Sequence, residues 1–208
     1  MKKIQEIHLI SSGNDIDAVL NEAAKFSESM QLSRKDTLRM RLLTEETMAM
    51  LRTLTGELEL TLSFIGHEKY CIIQVETDTA MDVLKKDRIL SVSATGENAS
   101  AKGIMGKIRD AFETAFAMPA DADWANYGLA AMMTGMPTDM YPGLMLDTVC
   151  WTLSDYRKSV EEDDSENAAA NWDELEKSIV SNVADDVQVG VRKGHVVMSI
   201  IYKLTGKQ

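Results

Sequence analysis

Cysteine is scarce: Cys71 and Cys150 are the two in 208 residues, far apart in sequence and at no metal-ligand spacing. No disulfide framework or zinc finger follows from them, and both read as reduced core residues of a cytoplasmic protein. A single Cys71–Cys150 bond is the alternative. Proline is scarcer still for the length, with Pro119, Pro137 and Pro142 confined to one stretch. Long apolar runs are missing too. The segment from Gly128 to Met136 is short and broken by glycine, well below the roughly 18 residues of a membrane span. The opening MKKIQEIHLI carries Gln5, Glu6 and His8 where a secretory segment needs an unbroken apolar run. Positive charge is in deficit: 22 basic against 33 acidic residues give a formal charge of −11, which repels phosphate backbones and anionic lipid. Nucleic acid and membrane are therefore not expected as partners. The densest basic stretch, Arg34, Lys35, Arg39 and Arg41, is expected to decorate a solvated helix face. His8, His67 and His195 stand apart from one another and from Cys or Asp at metal spacing, so no metal site is expected.

What is present is a 45% hydrophobic chain that can bury one full core, with an insertion or small second lobe. Ile4 to Ile10 reads as a strand. Ile16, Val19, Leu20, Ala23, Ala24 and Phe26 then recur at helical spacing as far as Met30. Ser33, with Asp36 three residues on, marks a second helix start, and the longest helix runs from there toward Gly56. ELELTLSFIG and KYCIIQVET form a hairpin around Gly66, His67 and Glu68. An irregular stretch over 78–102 follows, read as a loop with a short helix. GIMGKIRDAFETAFAM resumes helical spacing before Pro119. A methionine-lined insertion comes next, then a helix from about Leu144 to Val160, an acidic link EEDDSEN, and a last helix NWDELEKSIVSNV. DVQVGVR and HVVMSIIYKL close the chain as a second hairpin around Lys193 and Gly194. The fourteen methionines read as filling for an irregular core, or as an adaptable surface of the insertion for a peptide or second subunit.

This order, two helices, a hairpin, a long loop, a helix opening on glycines and a final hairpin, resembles the GHKL ATPase fold. Anti-sigma-factor serine kinases, sensor histidine kinases, gyrase and Hsp90-type ATPases share it. The resemblance implies an α/β two-layer sandwich: a mixed, mainly antiparallel sheet covered by helices on one face, with a helical insertion. Residues 1–117 and 171–208 would carry the ATPase-like fold and 118–170 the insertion or small lobe. In that family a glutamate on the long helix serves as base or positioning group, and an asparagine four residues later helps hold Mg²⁺. Here Glu46 matches the acid, and Met50 stands where the asparagine belongs. Glu46 is read either as a functional acid or as a carboxylate at the edge of the buried face. Glu45, near Arg41 and Arg52, reads as an ion-pairing neighbour. The family's adenine-reading aspartate, followed by two spaced glycines, is matched by Asp78, but Ala80 and Asp82 replace the glycines. Asp82 would narrow the pocket and repel phosphate; Asp78 reads equally as a strand end. The family's phosphate loop is matched in outline by KGIMGKIRD. Gly103 and Gly106 are its glycines, with Lys102 or Lys107 beside the phosphates.

The pattern implies a regulatory protein with an incomplete nucleotide site. It would act mainly through another protein, such as a transcription or signalling regulator, with weak ATP binding and a doubtful place for Mg²⁺. Loss of the metal-holding asparagine argues against phosphoryl transfer. Two alternatives stand beside it: an active ATP-dependent serine kinase or ATPase, and a structural or homodimeric interaction domain with no nucleotide site.

Overall fold

The computed structural model describes residues 3–10, 16–54, 58–78, 104–117, 146, 148–162, 168–192 and 195–205. Strand β1 (Lys3–Ile10) leads to helix α1 (Ile16–Ser29), whose Val19, Ala23 and Phe26 share one buried face, as their spacing predicts. The helix ends on Gln31, which takes a left-handed φ of 52°. Its N–H donates to the Glu28 carbonyl at 2.9 Å, and the Leu32 N–H donates to the Ser27 carbonyl at 3.0 Å. Those two bonds make a Schellman C-terminus, a position that favours glycine because a Cβ is strained there. Gln31→Gly should therefore stabilise the protein by about 1 kcal/mol. The check is urea denaturation, with a higher midpoint and an unchanged slope.

Helix α2 (Arg34–Leu51) starts at Ser33, as the sequence predicts. The Ser33 hydroxyl oxygen accepts from the Asp36 N–H at 3.1 Å and the hydroxyl donates to the Asp36 carboxylate at 2.7 Å. The expected first hairpin is formed by β2 (Glu59–Gly66) and β3 (Tyr70–Asp78), where the His67 N–H donates to the Tyr70 carbonyl. There follow α3 (Ile104–Ala117), β4 (Thr148–Thr152), α4 (Leu153–Glu161), α5 (Ala168–Lys177), α6 (Ile179–Val183), β5 (Asp186–Arg192) and β6 (His195–Lys203). Among the described residues no helix is long and apolar enough to cross a membrane.

The six strands form one sheet in the order β1-β2-β3-β6-β5-β4, with every neighbouring pair antiparallel. Alternation sorts the side chains. Leu60, Leu62 and Phe64 of β2, Cys71, Ile73 and Val75 of β3, and Val196, Met198 and Ile200 of β6 join the helices in one core cluster. The Phe26 ring meets Phe64 at 5.7 Å. Each such fully buried side chain contributes about 1.5–3 kcal/mol. On the opposite face Ile65, Ile72 and Ile201, with Tyr70 against them, form a smaller cluster drawn from strands alone among the described residues. The expected α/β sandwich with helices on one face is the fold observed.

Two local expectations are corrected. The helix predicted over Leu144 to Val160 is instead β4 followed by α4, and β4 pairs with β5 as the sheet's edge, inside the stretch expected as a helical insertion. TVCWT is β-branched and aromatic, and pairing with β5 overrides the helical spacing. Thr152 ends the strand by capping α4, accepting from the Asp155 N–H at 3.0 Å and donating to its carboxylate at 2.7 Å. The single helix predicted over NWDELEKSIVSNV is broken at Ser178, whose side chain caps α6. Arg157 of α4 holds the other end of α6 by donating to the carbonyls of Ser181, Ala184 and Asp185.

Candidate functional site

The long helix carries the first candidate residues. Glu46 is half-buried on α2, whereas Met50, one turn on, is 3% exposed and belongs to the core cluster beside Leu51. Mg²⁺ needs oxygen ligands facing an open cleft, and a thioether packed in the core supplies none. Glu45 pairs with Arg41 at 3.0 Å on the helix surface, as its spacing predicts.

Asp78 ends β3 opposite His195 and is exposed. Cys71, Ile73, Val75 and Thr77 of β3 are buried, the first three within the helix-side core, so alternation puts Asp78 with Glu76 in the other row. Glu46 sits on a helix that covers the core side; the strand register does not bring the two acids together. Asp78 instead lines a cavity of about 710 Å³ at the strand ends, with His8, Glu59, Thr61, Glu76 and His195 among its walls. Glu76 is ion-paired with Arg192. Thr61 Oγ1 lies 3.2 Å from His8 Nδ1. Three carboxylates and two imidazoles share this rim with Leu9, Ile10 and Leu60, a lining that suits a polar or cationic group better than a triphosphate. Among the described residues no group of three or more His, Cys, Asp or Glu side chains is arranged to hold a metal.

The glycine-rich start of α3 divides. Lys102 and Gly103 lie outside the described residues, as do Ala80 and Asp82. Gly106 is buried within the first turn of α3. Lys107 lies 3.7 Å from the Glu174 carboxylate and 5.1 Å from the centroid of the Tyr156 ring, so it ties α3 to α5 and α4. Arg109 is the residue that sequence reasoning missed here. Its side chain is 5% exposed and donates to Asp110 at 3.0 Å, while its Nε has no partner among the described residues. A helical pattern of Ile104, Ile108 and Phe112 gives no warning that the arginine between them is buried.

A second polar group was also hidden. Arg39, expected on a solvated face with Arg34, Lys35 and Arg41, is only 20% exposed in its side chain. It donates to the carbonyls of Lys203 at 2.7 Å and Val183 at 2.8 Å, and lies over the Tyr202 ring. Its neighbour Asp36 accepts from the Thr205 N–H at 3.3 Å and the Thr205 hydroxyl at 3.0 Å. Burial pushes the Asp36 carboxyl up, but the hydrogen bonds from Ser33 and Thr205 and the charge of Arg39 outweigh it and hold it below the usual range. Cys71 faces Tyr202 across β3 and β6. Burial pushes its thiol up to about 11, despite a lowering contact from the Tyr202 hydroxyl. Such a thiol is no nucleophile near neutral pH. Cys71 and Cys150 are both free.

Comparison of the chain with protein families, with curated proteins and with solved structures returned no match.

Proposed function

We propose that this chain is a regulatory protein built on an ATPase-like sandwich with an incomplete nucleotide site, acting mainly by contact with another protein. A transcription or signalling regulator is the partner class that the family resemblance suggests. The burial of Met50 carries this reading, because it removes the metal-holding position on which phosphoryl transfer depends. The scaffold reading draws on the chain order: a strand, two helices, a hairpin and a further helix, then β4 and three helices before the closing hairpin. Two free cysteines suit a cytoplasmic setting.

The test is a nucleotide panel by thermal shift with and without Mg²⁺, alongside ATP turnover. A vestigial site half-saturated by ATP adds about 0.4 kcal/mol, or about 1 °C in melting temperature. No Mg²⁺-dependent turnover is expected. Turnover that disappears in Glu46→Ala would replace this reading with an active ATPase or kinase.

A further inference from the structure

We propose that β1 is a self-association edge: two copies pair their β1 strands antiparallel about a twofold axis at Ile7, joining two six-stranded sheets into one. Among the described residues β1 stands at the end of the strand order, with β2 on one side only. It is eight residues long and contains neither proline nor glycine. Natural sheets seldom leave such a strand as a bare edge, because its backbone is a template for another strand.

The side chains select both the partner and the register. On the face away from the core, β1 presents Ile4, Glu6, His8 and Ile10, all exposed, with Ile4 at 51% and Ile10 at 50%. Antiparallel pairing that keeps this face on one side matches residues of equal parity. With the axis at Ile7, Ile4 meets Ile10 of the second copy, and Glu6 meets His8, each pair occurring twice. Moving the axis to Glu6 sets that carboxylate against its own copy and Ile4 against His8. Moving it to His8 sets Glu6 against Ile10 and shortens the overlap. Cross-strand apolar and acid–base pairs are favourable while like charges opposite one another are not, so the pattern picks the axis at Ile7.

One nitrogen of the imidazole is already engaged on β2. Thr61 Oγ1 lies 3.2 Å from His8 Nδ1. If the hydroxyl donates there, the other ring nitrogen carries the proton and can donate to Glu6 of the second copy. Among the described residues neither Glu6 nor that second nitrogen has a hydrogen-bond partner. The edge does not depend on the nucleotide reading, and its test reads association alone.

The experiment uses the full chain with Cys150→Ser, leaving Cys71 buried. Glu6→Cys and His8→Cys are made as separate proteins, both at exposed positions. Each oxidised alone should stay near the 23.1 kDa chain mass, while an oxidised mixture should give a disulfide-linked species of twice that mass. Sedimentation of the wild type should show the dimer without cross-linking. The double variant Ile4→Lys, Ile10→Lys should weaken it by at least about tenfold with unchanged far-UV circular dichroism. A wild type that sediments as a monomer at every attainable concentration overturns the proposal. So does cross-linking of Glu6→Cys with itself in preference to His8→Cys.

Discussion

Met50→Asn should lower the unfolding free energy by about 3 kcal/mol and create no Mg²⁺-dependent ATP turnover. The substitution introduces the residue type that GHKL ATPases place four positions after their glutamate, so a purely motif-based view expects a gain. The structure sets a different outcome. Position 50 is 3% exposed within the core cluster, so the variant loses the buried methionine contacts and leaves a carboxamide among apolar neighbours. An unsatisfied buried polar group alone costs about 1–3 kcal/mol. Met50→Leu, which conserves volume and polarity, should cost less than about 1.5 kcal/mol. Chemical denaturation of the three proteins, with a thermal-shift titration of Mg-ATP, separates the outcomes. An asparagine variant that stays as stable as wild type and gains saturable Mg-ATP binding would show that the cleft reaches position 50.

The second large effect is expected at Asp36. Asp36→Ala removes the acceptor for the Ser33 and Thr205 hydroxyls and takes from Arg39 one of its two carboxylates at 3.6 Å, leaving Asp185, for a loss of about 2–3 kcal/mol near neutral pH. Because the folded carboxyl is held below its unfolded value, its contribution is present above about pH 4 and is lost as pH falls through the folded value. Urea denaturation between about pH 2 and 7 should therefore show the gap between wild type and Asp36→Asn shrinking in acid. A gap that is constant over that range would mean that Asp36 acts by shape alone.

Much of this fold was legible because its signals are local. Ser33 and Asp36 announce the start of α2, the Val19–Ala23–Phe26 spacing announces the buried face of α1, and the alternation in β2 and β3 announces their hairpin. The failures share a different cause. TVCWT carries strand chemistry in five residues, too few to outvote the helical pattern that follows, and only its pairing with β5 makes it a strand. Arg39 reads as a surface residue because nothing nearby in sequence shows that the carbonyls of Lys203 and Val183 converge on it. In the candidate site, residue types at Glu46, Met50 and Asp78 could be compared with a motif. Which side of the sheet Asp78 joins, and how deeply Met50 is packed, follow from register and packing with distant residues.

The central position of β6 bears on how the chain folds. Gln74 and Ser199, hydrogen-bonded neighbours on β3 and β6, are 125 residues apart in sequence. The β2–β3 and β5–β6 hairpins can form locally within microseconds, but the seam between them must close a loop of that length, which opposes it by about 4 kcal/mol of chain entropy. Sheet completion is thus a late, non-local step, and side chains along the β3–β6 seam govern the folding rate more than those of either hairpin turn. Until the seam closes, what will be the middle of the sheet is two open edges, and these are the surfaces that a chaperone would need to shield.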